Sequence, residues 1–416
     1  MNALRKLPSV FLALLMLVVM LTGCAEKSAP PPPPPVVPAP TPLAAQNFGK
    51  PVLYYATNRS VLDAGSDTHS AKYGGLRSRE TSYGEVRASA SGGVADGTDK
   101  YSIRLGVDRV TRTTRARFLT ELERAAARTQ RREVLLFIHG FDNSFDDAAR
   151  TALRIGVGIG FQGAMGMYSW PSLGSPAGYL NDRNNAYWSV LYLKDFLRDV
   201  VNDRWIGRVS VVVHSMGNEV FIRAYAELVD EAVRTGNTTA LAKIRAIVLA
   251  APDVDKEMFL EQYAQKLSSL GARVLLYASR GDMALSTSAM VQGGDYERLG
   301  KNVVCVPGLQ VTDVSDVHTD FLGHSWVSDS RAVLTDLRCA VTEGCDRYTN
   351  RQLREAICSS SAKRSAPTSQ PRDKSTSGNF YWRLVPAGSS GSSVTSSSVG
   401  GSVGGMLDSM GIKLPW

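Results

Sequence analysis

The chain has 416 residues, 44% of them hydrophobic and 21% charged, with a formal net charge of +8. Such a chain is long enough for one large α/β domain or two smaller ones, and its composition excludes disorder throughout and a polytopic membrane protein. Its lysines and arginines are scattered among acids in the sequence, which argues for solvation and attraction to anionic lipid and against a nucleic-acid partner.

The N-terminus carries Arg5 and Lys6, then the apolar run "VFLALLMLVVML", then "TGCAEKS". This is the layout of an export signal over residues 1–23, and the run is too short for a membrane span. "LTGC" resembles a bacterial lipoprotein cleavage box, which implies cleavage before Cys24 and lipid attachment to its thiol. Acyl chains there would hold the new terminus at a membrane by burying methylenes, at about 0.8 kcal/mol each. Residue 25 is alanine and not aspartate, which by the same resemblance implies the outer membrane, facing the periplasm. Residues 24–49 follow as a tether. Their core, "SAPPPPPPVVPAPTP", is too rich in proline, which has no N–H donor, for helix or sheet and reads as polyproline II, so the segment from Cys24 to Phe48 could span roughly 70 Å.

From about residue 50 to 358 the pattern is that of a doubly wound, mostly parallel sheet with helices on both faces. Apolar runs bounded by turn signals occur at "VLYYAT", "EVLLFIHG", "GAMGMYSW", "RVSVVVHS", "IRAIVLAAP", "RVLLYASR" and "NVVCVPG". Helical stretches alternate with them: "SFDDAARTALRIGVG", "YWSVLYLKDFLRDVV", "NEVFIRAYAELVDEAV" and "DKEMFLEQYAQKLSSL". Residues 58–100, rich in Gly, Ser and Arg, read as an irregular excursion, and "SLGSPAGYLNDRNNAYW" (residues 172–188) as a rim or lid loop. Residues 359–416 are rich in Ser and Gly and read as a flexible tail. Beyond Cys24 the cysteines are Cys305, Cys339, Cys345 and Cys358, consistent with two disulfides whose pairing the sequence leaves open. No C-x-x-C pair or histidine cluster supports a metal, and no dinucleotide fingerprint or phosphate-binding loop supports a cofactor.

In open α/β sheets reactive groups collect past the carboxyl ends of strands. Ser215 stands at such an end in "VVVHSMGNE", Asp282 in "LLYASRGDMAL", and His318 and His324 beyond "VVCVPG". A serine hydroxyl needs a base within reach, oriented by a third group. The order Ser215, Asp282, His324 is the Ser, acid, His order of α/β-hydrolases. His318 is the alternative base and Asp253 the alternative acid. Asp142 and Asp313 read as turn or surface residues, and His214 should point away from the serine. A serine before a helix is often only a cap, and the competing weight here lies in the whole constellation. Val213 stands where a glycine commonly precedes such a serine by two residues, so Ser215 is expected in a strained turn with the following helix slightly displaced to admit the valine.

The chain resembles the α/β-hydrolase superfamily, and more closely a bacterial family of uncharacterised esterase/lipase-like proteins. The shared stretches are "ATNR", "YGEV", "FIHGF", "YSWPS", "HSMGN", "LAAPDVD", "YASRGDMAL" and "GHSW", in order from residue 54 to 326. The resemblance implies Ser215 as nucleophile and His324, of "GHSW", as base. An oxyanion hole made by the backbone N–H groups of Met216 and Phe141 would complete such a site. The expectation is an envelope-anchored serine hydrolase acting on small ester or acyl substrates. The competing expectation is a binding or scaffolding lipoprotein that keeps the fold without the chemistry.

Overall fold

The computed structural model describes residues 49–94, 101–294, 296–317, 323–342, 345, 347, 350, 352–358 and 380–386. The expected signal peptide, Cys24, the tether, His318 and most of the C-terminal tail lie outside the described residues. Those described belong to one compact unit.

The strands are β1 (Val52–Asp63), β2 (Lys72–Val94), β3 (Tyr101–Thr113), β4 (Glu133–Ile138), β5 (Ala164–Ser169), β6 (Arg208–His214), β7 (Ile244–Ala250), β8 (Arg273–Ala278), β9 (Leu309–Asp313), β10 (Leu353–Ile357) and β11 (Phe380–Leu384). They form one sheet in the order β10-β11-β9-β8-β7-β6-β4-β5-β1-β2-β3. From β11 to β1 neighbours run parallel, while β10 and the β2–β3 hairpin pair antiparallel at the two ends.

The helices are α1 (Arg115–Ala126), α2 (Phe145–Gly158), α3 (Tyr179–Asn202), α4 (Gly217–Thr235), α5 (Lys256–Gln262), α6 (Ala264–Ser268), α7 (Met283–Val291), α8 (Trp326–Asp329) and α9 (Arg331–Val341). The strand sequences are continuously apolar because both faces are covered. In β4, Val134, Leu136 and Ile138 enter one core with Phe118 of α1, Phe196 of α3, Val220 of α4 and Phe259 of α5. Leu135 and Phe137, one residue out of phase, enter the other with Leu153 of α2, Trp326 of α8 and Leu337 of α9. Caps fix where helices begin: Ser144 and Asp147 make a capping box on α2, and the Asp282 carboxylate caps α7.

Four expectations are corrected. The excursion after β1 is largely strand, because "YGEVRASAS" alternates across a sheet end without a continuous apolar run. "NVVCVPG" is a loop, and β9 starts just after it at Leu309. The second half of the expected lid, from Tyr179 onward, is the start of α3. The expected tail contributes β11, whose aromatic "FYWRL" inserts between β9 and β10. The disulfides left open by the sequence join Cys305 to Cys358 and Cys339 to Cys345.

Candidate active site

The site forms where β4 and β6, adjacent in the sheet, send their chains to opposite faces, which opens a crevice at their carboxyl ends. Ser215 follows β6 with φ of +52°, a left-handed conformation that costs a serine about 1–3 kcal/mol. The surroundings over-determine it. The Ser215 N–H donates to the Ala250 carbonyl at 3.0 Å, and the Ser215 carbonyl accepts from the N–H of Asn218 at 3.1 Å, the Asn218 amide at 2.9 Å and the N–H of Asp253 at 3.2 Å. Two glycines admit the turn. A Cβ at Gly140 would stand 2.6 Å from that of Ser215, and one at Gly217 would collide with the His139 carbonyl oxygen. Gly217 thus lies close against the end of β4. Val213 is fully buried in the core that holds Ile138, Met216, Val220 and Leu249.

Asp282 and His324 meet beside this turn. His324 Nδ1 donates to Asp282 Oδ2 at 2.6 Å, which leaves Nε2 as the acceptor, and Asp282 Oδ1 accepts from the Leu285 N–H at 2.9 Å. The aspartate is fully buried, while the His324 side chain is 17% exposed. Ser215 and His324 line one cleft of about 70 Å³, walled by Phe141, Pro176, Ala284, Leu285 and Val291. Among the described residues the N–H groups of Met216 and Phe141 donate to no protein acceptor.

Asp253 lines the same cleft but is spent on other partners. Its carboxylate accepts from Tyr179 Oη at 2.9 Å and from Ser288 Oγ, and Arg298 Nε lies 3.7 Å away, with both charged side chains buried. Beside this cluster, burial pushes the Glu219 carboxyl up, opposed by the Arg223 guanidinium. Asp142 lies in a turn with φ of +55°; Asp313 is not at the surface but buried, bonded to Ser315 and ion-paired with Arg280 at 3.1 Å.

Two residues act here in ways the sequence did not reveal. The His214 ring lies 4.7 Å from that of His324, and its Nε2 donates to the His324 carbonyl at 3.1 Å. Arg59, 1% exposed, ties the end of β5 and the loop after it to the loop after β4: it donates to Ser169 Oγ at 2.8 Å, the Ser172 carbonyl at 2.8 Å and the Asn143 carbonyl at 2.7 Å. Burial pulls its guanidinium down to about 9, against the attraction of Asp182 and Asp147. His139 joins this network. Its Nδ1 lies 2.8 Å from the Gly140 carbonyl, its Nε2 3.1 Å from the Trp170 carbonyl, 3.2 Å from Ser169 Oγ and 3.3 Å from Arg59, and the ring stacks on Trp170. Burial, with Arg59 adjacent, pulls His139 well below its ordinary value, and it is held neutral.

The mostly parallel sheet with helices on both faces is that of an α/β-hydrolase, and the sequence agrees: the model of an α/β-hydrolase family of unknown function, DUF900, matches residues 114–340. The chain belongs to this family. The DUF900 match begins at the cap of α1 and ends within α9, so it contains Ser215, Asp282 and His324 and leaves β1–β3, β10 and β11 outside. Comparison with curated proteins returns no match. Among solved structures, a hyperthermophilic esterase from the archaeon Pyrobaculum calidifontis is similar over 63% of this chain and 81% of its own, at 12% identity and a TM-score of 0.28, a likeness too slight to bear on activity. Among the described residues no cluster of side chains could hold a metal ion, and no helix is long and apolar enough to cross a membrane.

Proposed function

We propose that this chain is an envelope-anchored serine hydrolase that cleaves small carboxylic esters by acyl transfer. The observation that carries the reading is the bonded Asp282–His324 pair opening onto the cleft in which the strained Ser215 stands. Ser215 Oγ attacks the ester carbonyl as His324 Nε2 takes its proton. Asp282 holds the Nδ1–H tautomer and stabilises the imidazolium. The tetrahedral oxyanion rests on the Met216 and Phe141 N–H groups, which need no reorganisation to receive it. His324 then returns the proton to the leaving alcohol, and water repeats the sequence to release the acid from Ser215. The narrow, mostly apolar cleft favours short acyl groups. Anchoring is assigned to lipid on Cys24 after removal of residues 1–23.

Fluorophosphonate labelling of the purified protein, compared with Ser215→Ala, tests the chemistry. Labelling that disappears in the variant is expected. Folded protein with no Ser215-dependent label would instead leave the fold as a binding module. Metabolic labelling with a fatty acid should place lipid on the parent protein and none on Cys24→Ser; a parent protein without lipid would remove the anchor.

A further inference from the structure

The edge of the sheet opposite the cleft gathers positive charge that the linear sequence scatters. Arg208 opens β6, Arg245 is the second residue of β7, Arg273 opens β8, and Arg131 and Arg132 immediately precede β4. The parallel register sets these strand starts side by side: Glu133 is opposite Arg208, and Ala246 opposite Arg273. The Arg132 carbonyl accepts from the N–H groups of Gly207 and Arg208 at 3.1 and 3.4 Å, which brings the segment before β4 against the start of β6. Arg131, Arg245 and Arg273 all lie close enough to Arg208 to add, behind burial, to lowering its pKa. Within this group Trp205 is 39% exposed, and the guanidinium groups of Arg132 and Arg204 each sit 4.8 Å from its ring centre. The nearby acids are Glu133, paired with Arg208 at 3.8 Å, and Asp203, whose carboxylate accepts from the Trp205 N–H at 2.8 Å.

β1 runs parallel to β5 and begins at Val52, so residues 49–51 enter the sheet at this same edge. Ser215, Asp282 and His324 stand at the other.

We infer that the amino edge of the sheet, centred on the exposed Arg204, Trp205 and Arg245, is a docking face for an anionic lipid bilayer, which would turn the cleft away from the membrane. Guanidinium groups meet headgroup phosphates there, and an amphipathic indole between them suits the boundary between water and lipid. The direction of the entering chain bears on the membrane only through the anchor proposed at Cys24; the charge and the indole do not depend on it.

The test uses the chain from residue 24 onward with Cys24→Ser, so that no acyl chain contributes, sedimented with vesicles of mixed phosphatidylglycerol and phosphatidylcholine or of phosphatidylcholine alone. Binding is expected only to the anionic vesicles and should weaken as salt is raised. At about 1 kcal/mol per basic residue, Arg204→Glu with Arg245→Glu should weaken it about 25-fold or more and leave ester hydrolysis unchanged. The same charge change at Arg79 and Arg150, on the β2 strand and on α2, should have little effect. Equal binding to neutral vesicles, no binding to either, or an equal loss in the Arg79 and Arg150 variant would overturn the inference. So would binding to a single-stranded oligonucleotide, with the same Arg204 and Arg245 dependence, by protein that ignores vesicles. Absence of lipid on Cys24 in cells, by contrast, would remove the anchor and leave the vesicle result to stand or fall by itself.

Discussion

Two buried aspartates close consecutive strand ends beside Ser215, and their difference is instructive. Asp253, after β7, is 3% exposed, and Asp282, after β8, is fully buried. Both lie in plausible positions for the acid of a hydrolase. Asp253 is surrounded by donors that have nothing to do with a base, namely Tyr179, Ser288 and Arg298. Asp282 divides its two oxygens between the first turn of α7 and His324. Burial alone does not make a carboxylate functional; the identity of the donor facing it does. One aspartate fastens the wall of the cleft, and the other couples a helix start to the histidine.

The comparison breaks most directly at Asp282. Asparagine there keeps the helix cap but offers His324 the wrong partner, so Asp282→Asn should lower kcat by about 10³–10⁴-fold with the fold retained. Asp253→Asn should lower kcat less than about tenfold. Steady-state ester hydrolysis that ranks the two the other way would reverse their roles. Stability should show the opposite order: Asp253→Asn leaves Arg298 buried without its counter-charge and is expected to cost about 3 kcal/mol in urea unfolding, against under about 1 kcal/mol for Asp282→Asn.

A smaller effect is expected from pH. His139 is folded in its neutral form, so below about 6.5 the unfolded chain takes up a proton that the folded chain refuses. Its contribution is fully present above that pH and is lost as pH falls, by at most about 1.4 kcal/mol per pH unit. Thermal unfolding between neutral and mildly acidic pH should therefore be less steep in pH for His139→Gln than for the parent; equal slopes would place the acid sensitivity elsewhere. The smallest effect concerns His214, which touches His324 by its ring and by a hydrogen bond to the His324 carbonyl. His214→Phe keeps a ring against His324 and loses the hydrogen bond, and should lower kcat about tenfold or less with KM unchanged. A change in KM alone would show that His214 shapes the cleft and does not position the base.

What was legible in the sequence follows from what is local. β4, β6 and β8 are continuous apolar runs ending in sharp turns, so the strands, Ser215 and Asp282 were all readable, and the order of acid and histidine followed. β2 and β3 were not, because half-buried strands at a sheet end carry Arg, Ser and Gly on one face. β9 was misplaced onto "NVVCVPG", an apolar loop that one disulfide ties down at Cys305. The choice of Asp282 over Asp253 and the parts played by His214 and Arg59 depend on contacts between residues far apart in the chain. Arg59 and Asn143 are an example: nothing local marks either as the partner of the other.

The insertion of β11 sets a constraint on how the molecule is made. Phe380–Leu384 lies between β9 and β10, although it is synthesised after both. Until about the last tenth of the chain has emerged, the outer edge of β9 has no neighbour and β10 has nothing to pair with. The nascent chain would carry an open strand edge that invites pairing with another copy. A chain cut after Cys358 would keep every residue proposed to act in hydrolysis and still resemble that unfinished intermediate, so truncation there should appear as aggregation during expression before it appears as lost activity.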